Sequence, residues 1–435
     1  MAKNNPSRPH GERGDRRLST SIDDLYLAAM ERGGDTLETG RFIVTYKEAA
    51  VAEGLQSLQT QGLRIADARD FQDQAVTLES AGDADALVFP EIGVAVIGGE
   101  AFAERGLSIQ EELAADSPIE AIEPEYFVFT QQNPAAYLRG FSSAVETIMR
   151  DLAEGRDGVE EEEDVDTQAL GATWGLVRCK VPPSVRSGTG IKVAVLDTGM
   201  DLGHPDFAGR AFTTRSFVGQ PVQDLNSHGT HCIGTACGPK APPGTTPRYG
   251  IAFRAAIFAG KVLTNAGSGS SATVLAGMNW AIANRCAVIS MSLGSQSPVQ
   301  AAYTAAGNAA LSKGCLIVAA AGNFATNTGA PANSPSIMSV ASLDSTLKPS
   351  SFSNFGKIEI AAPGRDVFSS VPRPTRYGIK SGTSMATPHV AGCAALWAET
   401  AASLRGTALW RKLQSTARRL PFPPSRVGAG LVQAP

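Results

Sequence analysis

Between about residues 169 and 435, short apolar runs alternate with helical patterns. The runs are rich in β-branched residues and read IKVAVLD, AAIFAGKVL, AVISMSL, LIVAAAGN and SIMSVAS. Parallel strands joined by helical crossovers produce this pattern, because the helices cover both faces of the sheet. We therefore expect an α/β domain whose parallel sheet has helices on both faces. Functional side chains in such sheets gather at the carboxyl ends of the strands.

A smaller α+β domain is predicted from about residue 40 to residue 131. The strand-like run RFIVTYK precedes a helical stretch, and the apolar run ALVFPEIGVAVIGG precedes a second one from Ala101 to Leu113. The run IEAIEPEYFVFT closes the segment as a strand. Strand, helix, strand, strand, helix, strand is the split βαβ, or ferredoxin-like, pattern.

The other segments are predicted to be a tail and a linker. Residues 1–39 combine a polar basic stretch, typical of a disordered terminus, with a short helix from Ser21 to Arg32. Residues 132–168 combine a helix from Pro134 to Glu154 with five successive acids from Glu160 to Asp164. Like charges keep such a run extended, so we expect a flexible linker, with calcium binding as the alternative. The large domain then occupies residues 169–435.

Charge and hydropathy argue against two classes of partner. Lys and Arg number 38 against 42 Asp and Glu, so the chain has no basic field that would attract nucleic acid. No apolar stretch reaches the roughly 18 residues that a membrane helix requires. The first twenty residues lack the apolar core of a secretion signal, so a cytoplasmic location is expected. In that compartment the six scattered cysteines should be buried thiols, although pairing is left open: Cys179, Cys232, Cys237, Cys286, Cys315 and Cys393.

Three separate segments carry residue types used in hydrolysis. Asp197 follows a predicted strand in IKVAVLDTGMD, where a carboxylate could also cap the next turn. His228 opens a helical pattern in NSHGTHCIGT, and its neighbour His231 is expected to be structural. Ser384 lies in a Gly-rich turn before an apolar helix, where a serine could also be an N-cap. Pro388 is expected in the first turn of that helix.

Taken together, these residues supply the nucleophile, the base and the orienting carboxylate of serine hydrolysis, in the order Asp, His, Ser. The segments DTGMDLGHPDF, HGTHCIGT and GTSMATPHVAG closely resemble the signature segments of the subtilisin-like (S8) serine protease family. The resemblance implies that Asp197 orients His228, that His228 is the general base and acid, and that Ser384 is the nucleophile. The segment LIVAAAGNFA resembles the family's oxyanion stretch, which implies Asn323 as the oxyanion donor.

Two further segments resemble the substrate-flanking strands of the family, especially of its proteinase K branch. They are AGKVLTNAGSGSSATVLAGMNWAI and VISMSLGS, which would pair an extended polypeptide substrate by β-augmentation, although each alone could be an ordinary Gly/Ser loop. The segments SMSLGS and AAAGN suggest the walls of the substrate pocket and contain no charged side chain. Apolar P1 residues of the substrate should therefore be preferred. The implied substrate-binding residues are Gly267, Ser268, Gly269, Ser292, Leu293, Gly294, Ala321 and Gly322.

Residues 40–131 resemble the inhibitor-type (I9-like) propeptide of the same family. The resemblance implies a zymogen whose propeptide is its intramolecular inhibitor, with cleavage expected between about Gln131 and Gly171.

The chemistry requires no cofactor, and a structural calcium ion is a further expectation with Glu359 as its candidate ligand. The alternative function is a catalytically silent or permanently self-inhibited scaffold that acts by binding proteins. Labelling by a fluorophosphonate and cleavage of casein distinguish these alternatives from an active protease.

Overall fold

The structure is a computed structural model that describes residues 21–31, 37–48, 50–60, 62–71, 81–104, 117–130 and 171–435. The predicted basic tail, the helix from Pro134 to Glu154 and the acidic run lie outside these residues. None of the described helices is long and apolar enough to cross a membrane.

The N-terminal part contains α1 (Ile22–Glu31), β1 (Glu38–Tyr46), α2 (Val51–Thr60), β2 (Ile65–Asp67), β3 (Ala86–Phe89), β4 (Val94–Ile97), α3 (Gly99–Glu104) and β5 (Ile119–Phe129). The strands form a sheet in the order β2-β3-β4-β1-β5, which β9 of the large domain extends. In this order, β3 pairs antiparallel with β4, β4 with β1, and β1 with β5, as the split βαβ pattern predicts.

Two details of this part differ from the prediction. The short strand β2 pairs parallel with β3 and was not predicted, because its three residues are too few to show a period. The described helix α3 runs from Gly99 to Glu104, so it starts two residues before the predicted stretch, whose remainder lies outside the described residues.

The large part contains α4 (Trp174–Arg178), β6 (Lys192–Asp197), β7 (Phe212–Ser216), α5 (His228–Cys237), β8 (Ala256–Lys261), β9 (Ser268–Ser270), α6 (Ser271–Ala283), β10 (Val288–Met291), α7 (Ala301–Ser312) and β11 (Leu316–Ala320). It continues with β12 (Met338–Leu343), β13 (Ile360–Pro363), β14 (Val367–Ser370), β15 (Tyr377–Lys380), α8 (Thr383–Thr400), α9 (Gly406–Thr416) and α10 (Pro424–Val427). Seven strands form a parallel sheet in the order β13-β12-β11-β10-β6-β8-β7. The α/β prediction is confirmed.

Burial on both faces of the sheet explains its apolar runs. In β6, Val193 and Val195 pack into a core that includes α5 and α8, whereas Ala194 and Leu196 pack into a second core that includes α6 and α7. Successive side chains of a strand point to opposite faces, so a strand covered on both sides must be apolar throughout. The six cysteines are free and buried, as expected.

The N-terminal sheet packs on the same helices. Ile43, Leu87 and Val128 belong to the apolar core that contains residues of α6 and α7. Helix α1 packs separately on the end of β5, where Leu25 and Tyr26 bury Phe127 and Phe129. The last residues of β5, which we call the exit strand (residues 127–130), therefore lie between α1 and the large domain.

Candidate active site

Asp197 and His228 form a hydrogen-bonded pair at the carboxyl end of the parallel sheet. Asp197 is the last residue of β6, and His228 is the first residue of α5. The Oδ1 atom of Asp197 lies 2.7 Å from Nδ1 of His228, and a carboxylate can only accept, so Nδ1 carries the proton. His228 Nε2 is buried without a hydrogen-bond partner among the described residues. In the neutral imidazole, Nε2 is then the nitrogen that can take a proton.

Ser384 is the second residue of α8, and Pro388 follows it by one helical turn. The prediction that Pro388 lies in the first turn is wrong, because the helix already begins at Thr383. Proline has no N–H, so the Ser384 carbonyl loses its usual intrahelical donor. The hydroxyl of Ser292 donates to this carbonyl at 2.7 Å instead, and the Cys232 thiol lies 3.6 Å from it.

Cys232 links the serine to the histidine. Its Sγ atom lies 3.9 Å from His228 Nδ1 as well as 3.6 Å from the Ser384 carbonyl. Cys232 thus lies next to both His228 and Ser384, and all three residues are buried. Burial raises the pKa of the Cys232 thiol well above its ordinary value, so the thiol is neutral. The Ser384 hydroxyl donates to the Ser292 carbonyl at 3.2 Å.

Asn323 is oriented by Thr383. Its Oδ1 atom accepts hydrogen bonds from the Thr383 N–H at 2.8 Å and from the Thr383 hydroxyl at 2.9 Å, so its Nδ2 atom faces the other way. A Cβ atom built on Gly382 would lie 3.4 Å from Asn323 Nδ2 and 3.6 Å from Ser384 N. Both nitrogens therefore lie within 3.6 Å of one point beside Gly382.

The predicted substrate strands flank the exit strand. In β9, Gly269 pairs with Val128 and Ser268 pairs with Phe129, and the Thr130 N–H donates to the Gly267 carbonyl at 3.0 Å. On the other side, Phe129 and Gly294 exchange two backbone hydrogen bonds of 3.1 Å each. The cleft therefore holds an extended chain by backbone pairing on both edges, which is the geometry of β-augmentation.

The remaining predicted substrate residues support the cleft from behind. Leu293 is buried in the core, and Ser292 bonds to Ser384 as described above. The Ala321 carbonyl accepts from Asn354 Nδ2 at 3.1 Å. The Gly322 N–H donates to the Thr383 hydroxyl at 3.1 Å, and its φ of +112° suits glycine. These bonds hold the Asn323 loop against α8.

Glu359 is already paired with a cation of the chain. Its Oε2 atom accepts from Lys357 Nζ at 2.7 Å and from the Ser339 N–H at 2.6 Å. A calcium ion takes six to eight oxygens, so Glu359 alone would not form a calcium site. Within the described residues, ligand atoms close enough to share a metal occur together only in Asp197, His228 and Cys232, within 4.8 Å of one another.

His231 lies in the core, as expected for a structural residue. Its Nε2 atom bonds to the Val367 carbonyl at 2.9 Å, and burial lowers its pKa to about 3. Sequence reasoning missed the contacts of Cys232 and Ser292 with Ser384. The lack of an N–H at Pro388, four residues after Ser384, is the signal that could have indicated a side-chain donor there.

The large domain is similar to known proteins. The family model "Subtilase family" matches residues 188–430. An alkaline protease of Alkalihalobacillus alcalophilus is 41% identical over 283 residues, which cover 63% of this chain and 72% of that protein. Subtilisin Savinase of Lederbergia lenta is 41% identical over 273 residues, or 61% of this chain and 98% of that protein. The crystal structure of a cold adapted subtilisin-like serine proteinase aligns with a TM-score of 0.53 and 33% identity, covering 61% of this chain and 98% of that structure.

Proposed function

The chain belongs to the subtilase family, and from this premise we propose that it is a serine endopeptidase precursor with Asp197, His228 and Ser384 as its triad. Ser384 Oγ attacks the peptide carbonyl carbon while His228 Nε2 takes the hydroxyl proton. The C–N bond breaks as His228 passes that proton to the leaving amine. Water then takes the place of the amine: His228 Nε2 takes a proton from the water as its oxygen attacks the acyl carbon, and His228 returns the proton to Ser384 Oγ as the ester C–O bond breaks.

The hydrogen bond between Asp197 and His228 Nδ1 is the observation that carries this proposal. In the neutral imidazole it makes Nε2 the proton acceptor, in a site that also contains a serine hydroxyl at a helix start. Asn323 Nδ2 and the Ser384 N–H, which border one space, would stabilise the oxyanion of the tetrahedral intermediate.

Polypeptides are the substrates, and we propose a preference for apolar P1 residues. The residues assigned to the pocket walls, at 292–294 and 321–323, include no ionisable side chain that could pair with a charged P1 group. Cleavage of a peptide library should therefore follow aliphatic and aromatic residues. A strong preference for Arg or Lys at P1 would contradict this assignment.

We propose that residues 40–131 act as an I9-like inhibitory propeptide. The exit strand occupies the cleft in which a substrate strand would pair, so both cannot bind together. It runs antiparallel to the segment 292–294, from Gly294 towards Ser292, and Ser384 contacts Ser292. We therefore propose that cleavage follows the exit strand closely, near Gln131. Most of the predicted cleavage range lies outside the described residues.

The proposal is tested by comparing the wild-type chain with Ser384→Ala. The wild type should react with a fluorophosphonate, cleave casein and accumulate as two fragments. Ser384→Ala should remain one chain of 45.2 kDa and should show none of these reactions. Ser381→Ala is the matched control, because Ser381 is an exposed serine three residues earlier.

Three outcomes would support other interpretations. If the wild type fails to label after the linker has been opened by limited proteolysis, the silent scaffold is correct. If it labels only after such opening, the chain is a self-inhibited complex that does not process itself. Equal cutting of wild type and Ser384→Ala would assign the cleavage to another enzyme.

A cytoplasmic location and calcium binding stay predictions, which cell fractionation and calcium titration of thermal stability test.

A further inference from the structure

A second buried carboxylate lies beside the proposed triad. The carboxylate of Asp224 accepts five hydrogen bonds, two of them from the hydroxyls of Thr198 and Thr230, at 3.0 and 2.7 Å. The others come from the backbone N–H groups of Asn226, Ser227 and Thr230, at 2.9, 3.0 and 2.9 Å. Asn226 and Ser227 lead into α5, and Thr230 belongs to its first turn. Asp224 therefore holds the helix start that carries His228.

Thr198 connects this carboxylate to Asp197. Its N–H donates to Asp197 Oδ1 at 2.7 Å, and its hydroxyl donates to Asp224 at 3.0 Å. The same hydroxyl accepts from the N–H of Gly229, the residue after His228, at 2.9 Å. One residue thus bonds to the aspartate of the pair and to the backbone beside the histidine.

Lys261 supplies the positive charge of the cluster. It pairs with Asp197 in the register of β6 and β8, and its side chain is fully buried. Its Nζ atom donates to the Thr198 carbonyl and, at 2.8 Å, to Asn265 Oδ1. Burial lowers the pKa of Lys261 to about 8, and the negative charges of Asp224 and Asp197 oppose that shift. The ammonium group of Lys261 therefore interacts electrostatically with both carboxylates at the carboxyl end of the sheet.

We propose that Asp224, Thr198 and Lys261 are positioning residues that fix the geometry and the electrostatic balance of the Asp197–His228 pair. This inference rests on the proposed hydrolysis, in which His228 must be neutral before it can take a proton. Thr198 bonds directly to Asp197, and Asp224 and Thr198 accept from the backbone N–H groups of Ser227 and Gly229 on either side of His228. Lys261 and Asp224 act on the charge of the imidazole through the low-dielectric interior, with opposite signs.

Opposite signs make the proposal testable. Removing the ammonium in Lys261→Met favours the protonated imidazole, so the midpoint pH of His228 titration should rise. Removing the carboxylate charge in Asp224→Asn should lower that midpoint. Each shift should be roughly one pH unit, the order of magnitude expected for one charge in a protein interior. The other charged groups nearby, Asp201 with Arg373 on one side and Lys380 on the other, are unchanged in both variants.

The midpoint can be read without proteolysis. Ser384→Ala chains carrying each substitution are labelled with ¹⁵N-histidine, and the His228 ring signals, identified by their loss in His228→Gln, are followed against pH. His231 and His389 serve as internal references, because burial lowers their pKa to about 3 and about 4. Shifts of opposite sign, with the double variant Lys261→Met/Asp224→Asn near the parent value, would support the proposal. Equal midpoints in all chains, or shifts of the same sign, would overturn it.

Activity provides the second measurement. With serine present, the acid limb of kcat/KM should move in the same directions as the midpoints. Thr198→Val should lower kcat about tenfold or more with little change in KM, because the hydroxyl bonds to Asp224 and to the Gly229 N–H are lost, whereas Thr198→Ser should restore most of kcat. These variants also cover the case in which Lys261→Met does not fold. If the midpoints move as expected but no chain hydrolyses peptides, the proposed function fails while the positioning role stands. Equal kcat in Thr198→Val and Thr198→Ser would contradict the hydrogen-bonding role.

Discussion

At the residue scale, one missing backbone donor determines how Ser384 is held. Pro388 cannot donate to the Ser384 carbonyl, so the Ser292 hydroxyl does so from a neighbouring strand end. This bond ties the start of α8 to the segment that pairs with the exit strand. A substrate strand on that segment would therefore be held in fixed register with Ser384.

Asn323→Ala should lower kcat with little change in KM, because its amide faces the space where negative charge develops. The loss should be on the order of 10² to 10³, the magnitude measured for this type of donor in subtilisin itself. Thr383→Val is the graded control, since it removes one of the two bonds that orient Asn323 but retains the N–H. Steady-state kinetics on a peptide substrate measure both. A rise in KM alone would contradict the oxyanion role.

At the element scale, the exit strand is covered from two sides. Its backbone pairs with β9 and Gly294, while the buried rings of Phe127 and Phe129 pack against α1. The Tyr26 ring meets them edge-on, at centroid distances of 5.2 and 6.1 Å. Helix α1 therefore adds apolar contacts to a strand already held by hydrogen bonds.

Leu25→Ala should weaken the grip of α1 on the exit strand and so raise the residual casein activity of the processed protein. Truncating a buried leucine costs about 2 kcal/mol or more, which corresponds to roughly thirtyfold weaker inhibition. Leu27→Ala is the matched control, because Leu27 lies on the same helix with 46% of its surface exposed. If both variants match the wild type, α1 does not contribute to inhibition.

At the scale of the whole molecule, acidic residues of β5 join the two parts. Glu125 pairs with Arg41 at 2.6 Å inside the N-terminal part and also accepts from the Ala272 N–H of α6 at 3.1 Å. Glu123 accepts from the N–H groups of Ala301 and Ala302 at the start of α7, at 3.1 and 3.4 Å. Carboxylates at helix N-termini are favourable, so the N-terminal part is held by charge as well as by apolar burial.

The molecule should lose stability on acidification below about pH 6.5. Burial lowers the pKa of His389 to about 4 and that of His231 to about 3. The unfolded chain therefore binds more protons than the folded chain between about pH 6.5 and 4, so the free energy of unfolding falls as pH falls. Each histidine contributes a slope of up to about 1.4 kcal/mol per pH unit.

The urea midpoint of Ser384→Ala, measured at several pH values, checks this slope. The additional substitution His389→Gln removes one of the two titrating groups and retains a side-chain donor for the Met385 carbonyl, to which His389 Nδ1 bonds at 2.9 Å. Its slope should be shallower by the contribution of one histidine. An unchanged slope would show that other groups control acid unfolding.

Local pattern alone determined five of the seven strands of the parallel sheet and the residue types at the centre of the protein. The five apolar runs became strands of one parallel sheet, because burial on both faces requires apolar residues throughout. The carboxyl ends of β6 and β11 placed Asp197 and the Asn323 loop at one edge, as such sheets always do.

Only the tertiary structure decided which atoms satisfy one another. No sequence period reveals that Ser292 donates to Ser384 or that Asp224 holds the start of α5. These bonds join residues far apart in sequence or on different elements, and each exists because a buried polar atom must find whichever partner the packing brings near. The same reason explains why Asp224, Thr198 and Lys261 were not singled out from the sequence. Their roles depend on distances across β6, β8 and α5 rather than on spacing along the chain.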